Sequence, residues 1–104
     1  MIFQDLTGKK VVDNRGEVVG KLTDIFNDER TMEPQWGVVT HGTLKSHHRV
    51  VPMSQVYESG ADGSDHLVIN MDKDVVRHAP ELAGHDAVTP ELERMLLDYY
   101  GSSV

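Results

Sequence analysis

The chain has 104 residues, a formal net charge of −7, no cysteine and 38% hydrophobic residues. This length fits one domain, and the lack of cysteine excludes disulfide frameworks, thiolate nucleophiles and cysteine-ligated metals. The acidity lies in the second half, because residues 1–52 carry seven basic and seven acidic side chains whereas residues 53–104 carry three and ten. No secretory signal and no apolar run long enough to cross a bilayer are predicted, so we expect a cytoplasmic protein without membrane insertion.

The first predicted element is a β-hairpin. Lys9–Val12 forms its first strand and Asp13–Gly16 its turn, because an aspartate side chain can close an Asx turn and glycine accepts a positive φ. In the returning strand the apolar positions shift from even numbers, such as Leu22, to odd numbers, such as Ile25. A β-bulge at Thr23-Asp24 would explain this shift and would curve the sheet towards a barrel. The same spacing also fits a helix, an alternative that the glycine and polar residues of the stretch disfavour.

Further β-strands are predicted from β-branched and aromatic residues between turn residues. A polar loop over residues 27–33 precedes them. The first two strands are expected to pair antiparallel across Gly42, and a polar tip precedes the last strand. The predicted segments are residues 35–41, 46–51, 53–57 (a turn plus a short strand) and 66–71.

Two helices are predicted after the β region. Residues 72–78 form a short capped helical turn that Ala79-Pro80 terminates. The last helix is the clearest, with an N-cap at Thr89, Pro90 at its first position and Gly101 at its end.

The last helix carries an apolar stripe that needs a partner surface. We expect that surface to be either the barrel of the same chain or a dimer partner. The chain is accordingly divided into a β domain, residues 1–80, and a linker with the amphipathic helix, residues 81–104. The stripe consists of Leu92, Met95, Leu96 and Tyr99.

Short motifs in a fixed order run from about residue 6 to residue 80. The first is Gly8-Lys9-Lys10-Val11-Val12-Asp13, followed by Gly16 and Gly20. Later ones are Asp24, Asp28, the strand 36–40, Arg49-Val50-Val51-Pro52-Met53 and Val75-Val76-Arg77-His78-Ala79-Pro80. Together they resemble the PRC-barrel family, which is named for the photosynthetic reaction centre H subunit.

The resemblance implies a small, strongly curved β-barrel that docks to other proteins and has no shared catalytic residues. Members of the family include part of the reaction centre H subunit and a domain of a ribosome-maturation factor. We therefore expect a mainly β fold, a PRC-like barrel followed by a C-terminal helix, that acts as a non-enzymatic adaptor without a cofactor. Exposed sheet edges and the appended helix predict a homodimer, while the protein partner stays unidentified.

Candidate interaction residues are chosen by residue type and expected exposure. Tryptophan and tyrosine are enriched in binding hot spots. Of the pair Tyr99-Tyr100 we expect Tyr100 to face outward, because neighbouring side chains on a helix point about 100° apart. The predicted interaction surface comprises Trp36, His41, His47, Arg49, Tyr57, Met95 and Tyr100.

An RNA- or ribosome-associated accessory factor is the first alternative function. Such a factor needs a locally basic face, because neutralised phosphates supply most of the affinity. Acidic residues interrupt the one candidate patch, so direct nucleic-acid binding is not expected. The patch consists of Lys9, Lys10, Arg15 and Lys21.

A small metal-binding or enzymatic domain is the second alternative. It would bring His41 together with His47 or His66 and a carboxylate. His47 and its neighbour His48 point to opposite faces of a strand, so they do not ligate one ion easily. Neither a metal site nor a catalytic site is therefore predicted.

Overall fold

The computed structural model describes residues 6–59, 66–82 and 87–101. Within them the chain forms a curved sheet, a 3₁₀ turn over Met53–Gln55 and two helices. The predicted polar tip and part of the predicted linker, including His85, lie outside the described residues. The elements are β1 (Lys10–Val12), β2 (Val18–Asn27), β3 (Pro34–His41), β4 (His47–Pro52), β5 (Val56–Glu58), β6 (His66–Ile69), α1 (Lys73–Arg77) and α2 (Pro90–Tyr100).

The strands form one mixed sheet in the order β4-β3-β2-β1-β6-β5. β1 pairs with β6 in parallel, and the other neighbours pair antiparallel. The edge strands β4 and β5 are consecutive in the chain, but backbone hydrogen bonds do not join them. The predicted fold class, mainly β with a C-terminal helix, is confirmed, with a barrel that hydrogen bonds leave open.

The predicted first hairpin is confirmed together with its turn. The Asp13 carboxylate accepts hydrogen bonds from the backbone N–H groups of Arg15 at 2.9 Å and Glu17 at 2.8 Å. Gly16 has a φ of 85°, which a residue with a side chain rarely adopts. The turn therefore depends on an aspartate at position 13 and a glycine at position 16.

The predicted bulge in β2 is also confirmed. Leu22 pairs with Val39 and Asp24 with Val38, so the register skips Thr23. The extra residue changes which side chains face the barrel interior: Leu22 lies in the interior and Ile25 packs against the same core cluster. The bulge at Thr23 therefore explains why the apolar residues of β2 change from even to odd positions, as predicted.

The two apolar faces of β3 and β4 are both covered. Successive residues of a strand point to opposite faces, so Val51 lies in the barrel core while Val50 packs with Trp36 on the outside. Leu92 and Leu96 of α2 complete this outer cluster. The helix therefore packs on the barrel of its own chain.

The outer edge of β4 is occupied by the chain that follows α1. The backbone N–H of Val50 donates to the Pro80 carbonyl oxygen at 3.1 Å, and that of Leu82 donates to the His48 carbonyl oxygen at 2.8 Å. Arg49 and Glu81 form an antiparallel bridge between these two bonds. The expectation of exposed sheet edges is therefore wrong for β4, because a distant segment pairs with it.

Both predicted helices are present, and they are capped differently. Thr89 caps α2 as predicted, since its hydroxyl accepts from the Leu92 N–H at 3.2 Å. The side chain of Asp72 makes no capping hydrogen bond at α1. Asp13 caps α1 instead, accepting from the Lys73 N–H at 3.1 Å. Neither of the helices described here is long and apolar enough to span a membrane.

Candidate functional site

A groove of about 660 Å³ lies beside α2 where β3 begins and β4 ends. Its walls come from four parts of the chain: the loop before β3, the start of β3, the 3₁₀ turn and α2. Five of its ten lining residues in the described part of the chain are apolar. The lining residues are Asp28, Thr31, Glu33, Pro34, Gln35, Trp36, Pro52, Met53, Ser54 and Leu97.

Trp36 forms the floor of the groove and connects it to the helix. Its side chain is only 3% exposed, and its indole N–H donates to Glu93 Oε2 at 3.4 Å. The side-chain amide of Gln35 donates to the same oxygen at 3.3 Å. Glu93 thus fixes the first part of α2 against the start of β3, so the groove is held by paired elements of secondary structure.

Leu97 supplies the most exposed apolar wall of the groove. It lies on α2 beside the buried stripe and is 50% exposed. Met53 also lines the groove, but it is buried in the barrel core and presents only a small part of its surface. Leu97 is therefore the apolar side chain that the groove offers most openly to a partner.

The rim of the groove is acidic. Asp28 and Glu33 are its ionisable lining residues, and both are carboxylates. The backbone N–H groups of Arg30 and Thr31 donate to the Asp28 carboxylate at 2.8 and 3.2 Å and hold its pKa below the usual value. Asp28 is therefore ionised at neutral pH, and the groove attracts cations.

The predicted interaction residues lie on four different elements and differ in their exposure. Met95 and Tyr57 are 56% and 53% exposed, but Tyr57 lies on β5 and Met95 on α2. Trp36 is only 3% exposed and reaches the surface only where it lines the groove, so it is not the openly exposed hot spot that was predicted. The orientation predicted for Tyr100 is wrong: Tyr99 is the exposed one, at 40%, while Tyr100 packs against the outer cluster.

Tyr100 points inward because it lies on the buried face of α2. The buried residues of α2 are Leu92 and Leu96, and Tyr100 continues this line at steps of four residues. Its hydroxyl donates to the Val50 carbonyl oxygen at 2.6 Å, which satisfies the buried polar end of the ring. The outward line instead contains Met95 and Tyr99. The predicted apolar stripe is therefore confirmed at Leu92 and Leu96 and wrong at Met95 and Tyr99.

The other three predicted residues form a cluster at the far end of β3 and β4. The rings of His41 and His47 stack with their centroids 5.2 Å apart. The Nε–H of Arg49 donates to His41 Nε2 at 3.2 Å, so that nitrogen carries no proton. Glu81 accepts from the backbone N–H of His48 at 3.2 Å and lies 3.3 Å from His47 Nδ1. This cluster holds the segment that covers the β4 edge.

The charges of this cluster shift two pKa values. Burial, with the nearby cations Arg77 and Arg49, lowers the pKa of His41. Burial alone would raise the pKa of Glu81, but the His48 N–H, Arg49 and His47 together hold it below the usual value. The carboxylate is therefore charged and the imidazole of His41 neutral at neutral pH.

The cluster has the contacts of a structural clamp. Among residues 6–59, 66–82 and 87–101, no group of three or more His, Asp or Glu side chains is arranged to hold a metal ion. His66, the third histidine considered for such a site, lies on β6 at the other side of the sheet. Arg49 also donates to the Ala79 carbonyl oxygen at 2.9 Å, which again binds the covering segment.

Of the groove's lining residues, only Trp36 belongs to the predicted interaction surface, and Leu97 and Glu33 are the missed residues that matter most for the site. Leu97 is an apolar residue of α2 that lies outside the predicted stripe. An apolar side chain at such a position could have been identified as an exposed contact residue. Glu33 lies in a loop that the sequence describes only as polar. Its place beside Trp36 follows from the turn between β2 and β3, which no local pattern specifies.

The family model of the PRC-barrel domain matches residues 1–76 of the chain. Because this match covers most of the chain, the protein belongs to the PRC-barrel domain family. Domains of this family are generally non-catalytic modules and often mediate interactions. The comparison with curated proteins returns no match.

Proposed function

We propose that this PRC-barrel protein is a non-enzymatic docking module that binds a partner protein in the groove beside α2. The half-exposed side chain of Leu97, in the same groove as the buried Trp36, is the observation that carries the proposal. Binding hot spots commonly consist of an aromatic or aliphatic anchor in a pocket with a polar rim. The groove has both parts and is preformed by packed elements, so little ordering is needed on binding.

A matched pair of leucine variants tests this proposal. Leu97→Glu places a charge in the groove, whereas Leu44→Glu places the same charge on a fully exposed leucine in the β3–β4 loop. Each tagged variant and the wild-type chain are used to capture proteins from a lysate of the host. We expect the Leu44 variant to keep a stoichiometric partner and the Leu97 variant to lose it. Equal capture by both variants, with equal melting temperatures, would overturn the assignment of the groove.

Self-association remains a second proposal, and it now rests on β5. β5 is the terminal strand of the described sheet opposite β4, and its Tyr57 is largely exposed. Edge strands with free hydrogen-bonding groups can pair with a second copy. Light scattering should then give a dimer that Tyr57→Lys converts to a monomer; a monomeric wild-type protein at high concentration would exclude this arrangement.

The proposed location of the module is the cytoplasm. The sequence contains no cysteine, and its stability therefore does not depend on an oxidising compartment. Fractionation of host cells with an antibody to the chain tests this placement. Recovery in the membrane or secreted fraction would contradict it.

A further inference from the structure

We propose that the segment bound in the groove combines a basic side chain with an apolar one. This inference rests on the proposed docking function and specifies its partner by chemistry. The apolar side chain would contact Leu97 and the Trp36 floor, and the basic one would lie between the carboxylates of Asp28 and Glu33.

The acidic rim of the groove favours a partner segment with a positive charge. Asp28 and Glu33 line the groove, and none of the lining residues in the described part of the chain is a lysine, arginine or histidine. The formal net charge of the chain is −7, which adds a long-range attraction for a cationic segment. A basic segment is therefore favoured both at contact and during approach.

The arginine that pairs with Asp28 does not block this site. Arg30 forms an ion pair with Asp28 at 3.9 Å, but its side chain is 90% exposed. An exposed pair of this kind contributes little free energy, because water and salt screen it. An incoming lysine or arginine can replace Arg30 at Asp28 with little loss.

The same features disfavour two other occupants. A second copy of the chain would bring a net charge of −7 to the acidic rim, so its docking in this groove is disfavoured. Nucleic acid carries phosphates, which the carboxylates of Asp28 and Glu33 repel. A basic and apolar protein segment fits the groove better than either.

Trp36 provides a direct readout, because it is the only tryptophan of the chain and forms the groove floor. Its fluorescence is followed while the full chain is titrated with a short peptide of alternating lysine and leucine. Two control peptides replace lysine by glutamate or leucine by serine. We expect saturable binding of the lysine–leucine peptide, weaker binding at higher salt, and no saturable binding of the two controls.

Matched variants locate the binding. Glu33→Gln removes a rim charge and should weaken binding about three- to fivefold, the effect of one partly exposed ion pair. Glu29→Gln removes a charge from the same loop outside the groove lining and should leave the affinity unchanged. Equal effects of the two variants, equal binding of the glutamate–leucine peptide, or no binding of any peptide would each overturn the inference.

This outcome is separable from that of the docking function. If Leu97→Glu abolishes partner capture while the lysine–leucine peptide fails to bind, docking in the groove stands and the basic character of the partner is wrong. If capture is equal for the Leu97 and Leu44 variants, the docking function itself fails.

Discussion

The hydroxyl of Tyr100 donates a hydrogen bond of 2.6 Å to the carbonyl oxygen of Val50. Tyr100 is the last residue of α2, and Val50 lies on the edge strand β4. The bond therefore attaches the C-terminal end of the helix to β4. The outer edge of the same strand also forms backbone hydrogen bonds with the segment after α1. Helix and barrel are thus joined at the end of α2 by this bond, as they are joined at its start by the contacts of Glu93.

Tyr100→Phe should destabilise the protein by about 1–3 kcal/mol, because it leaves the buried Val50 carbonyl without this donor. Urea unfolding at neutral pH measures the change. Tyr57→Phe, at an exposed position, is the control and should have almost no effect. A loss for Tyr100→Phe no larger than for the control would contradict the structural role of the bond.

Thr89→Ala should lower the free energy of unfolding by about 1 kcal/mol, since it removes the hydroxyl that accepts from the Leu92 N–H. Thr89→Ser keeps this acceptor and should retain most of the stability. Thermal melting of both variants separates the capping effect from the loss of side-chain volume. Equal destabilisation by alanine and serine would show that the cap contributes nothing.

The caps and the bulge are the features that sequence reasoning predicts best, because each depends on neighbouring residues. Thr89 and Pro90 define the start of α2 locally, and the parity change between Leu22 and Ile25 defines the bulge. The orientation of Tyr100 and the cover over β4 were not predictable in this way. Both depend on where distant segments pack, and Val50 carries no signal that Pro80 and Tyr100 are its partners.

Asp13 should make the stability dependent on pH in the acid range. Burial alone would raise its pKa, but hydrogen bonds from the N–H groups of Glu17, Arg15 and Lys73 lower it below the usual value of 3.8. Because the folded-state pKa is depressed, the stabilisation is present above the unfolded-state pKa and is lost as the pH falls through the folded-state pKa.

Asp13→Asn should therefore flatten the dependence of melting temperature on pH below about 4. Asp98→Asn, at an exposed position of α2, is the matched control. Parallel curves for the wild-type protein and the Asp13 variant would contradict the role of this carboxylate in joining the first hairpin to α1.

His41 should produce a second pH effect nearer neutrality. Burial, together with the cations Arg77 and Arg49, lowers its pKa from 6.5. His47 also opposes protonation of His41, whereas Glu81 favours it. The unfolded chain therefore binds a proton more readily than the folded one. Stability is complete above about 6.5 and falls as the pH decreases from that value towards the folded-state pKa.

His41→Gln should remove this part of the pH dependence, whereas His78→Gln, at an exposed position after α1, should leave it in place. Melting temperatures measured from neutral to mildly acidic pH compare the two variants. An unchanged slope in the His41 variant would show that its contact with Arg49 is not sensitive to protonation.

The central claim, that a partner binds in the groove beside α2, is tested most directly by the indole N–H signal of Trp36. This single signal is identified without assignment of the whole spectrum, because the chain has one tryptophan. A nitrogen–proton NMR spectrum is recorded as the captured partner is added. We predict that the Trp36 signal shifts in proportion to the bound fraction. Binding that leaves this signal in place, while backbone signals of β5 shift, would contradict the claim.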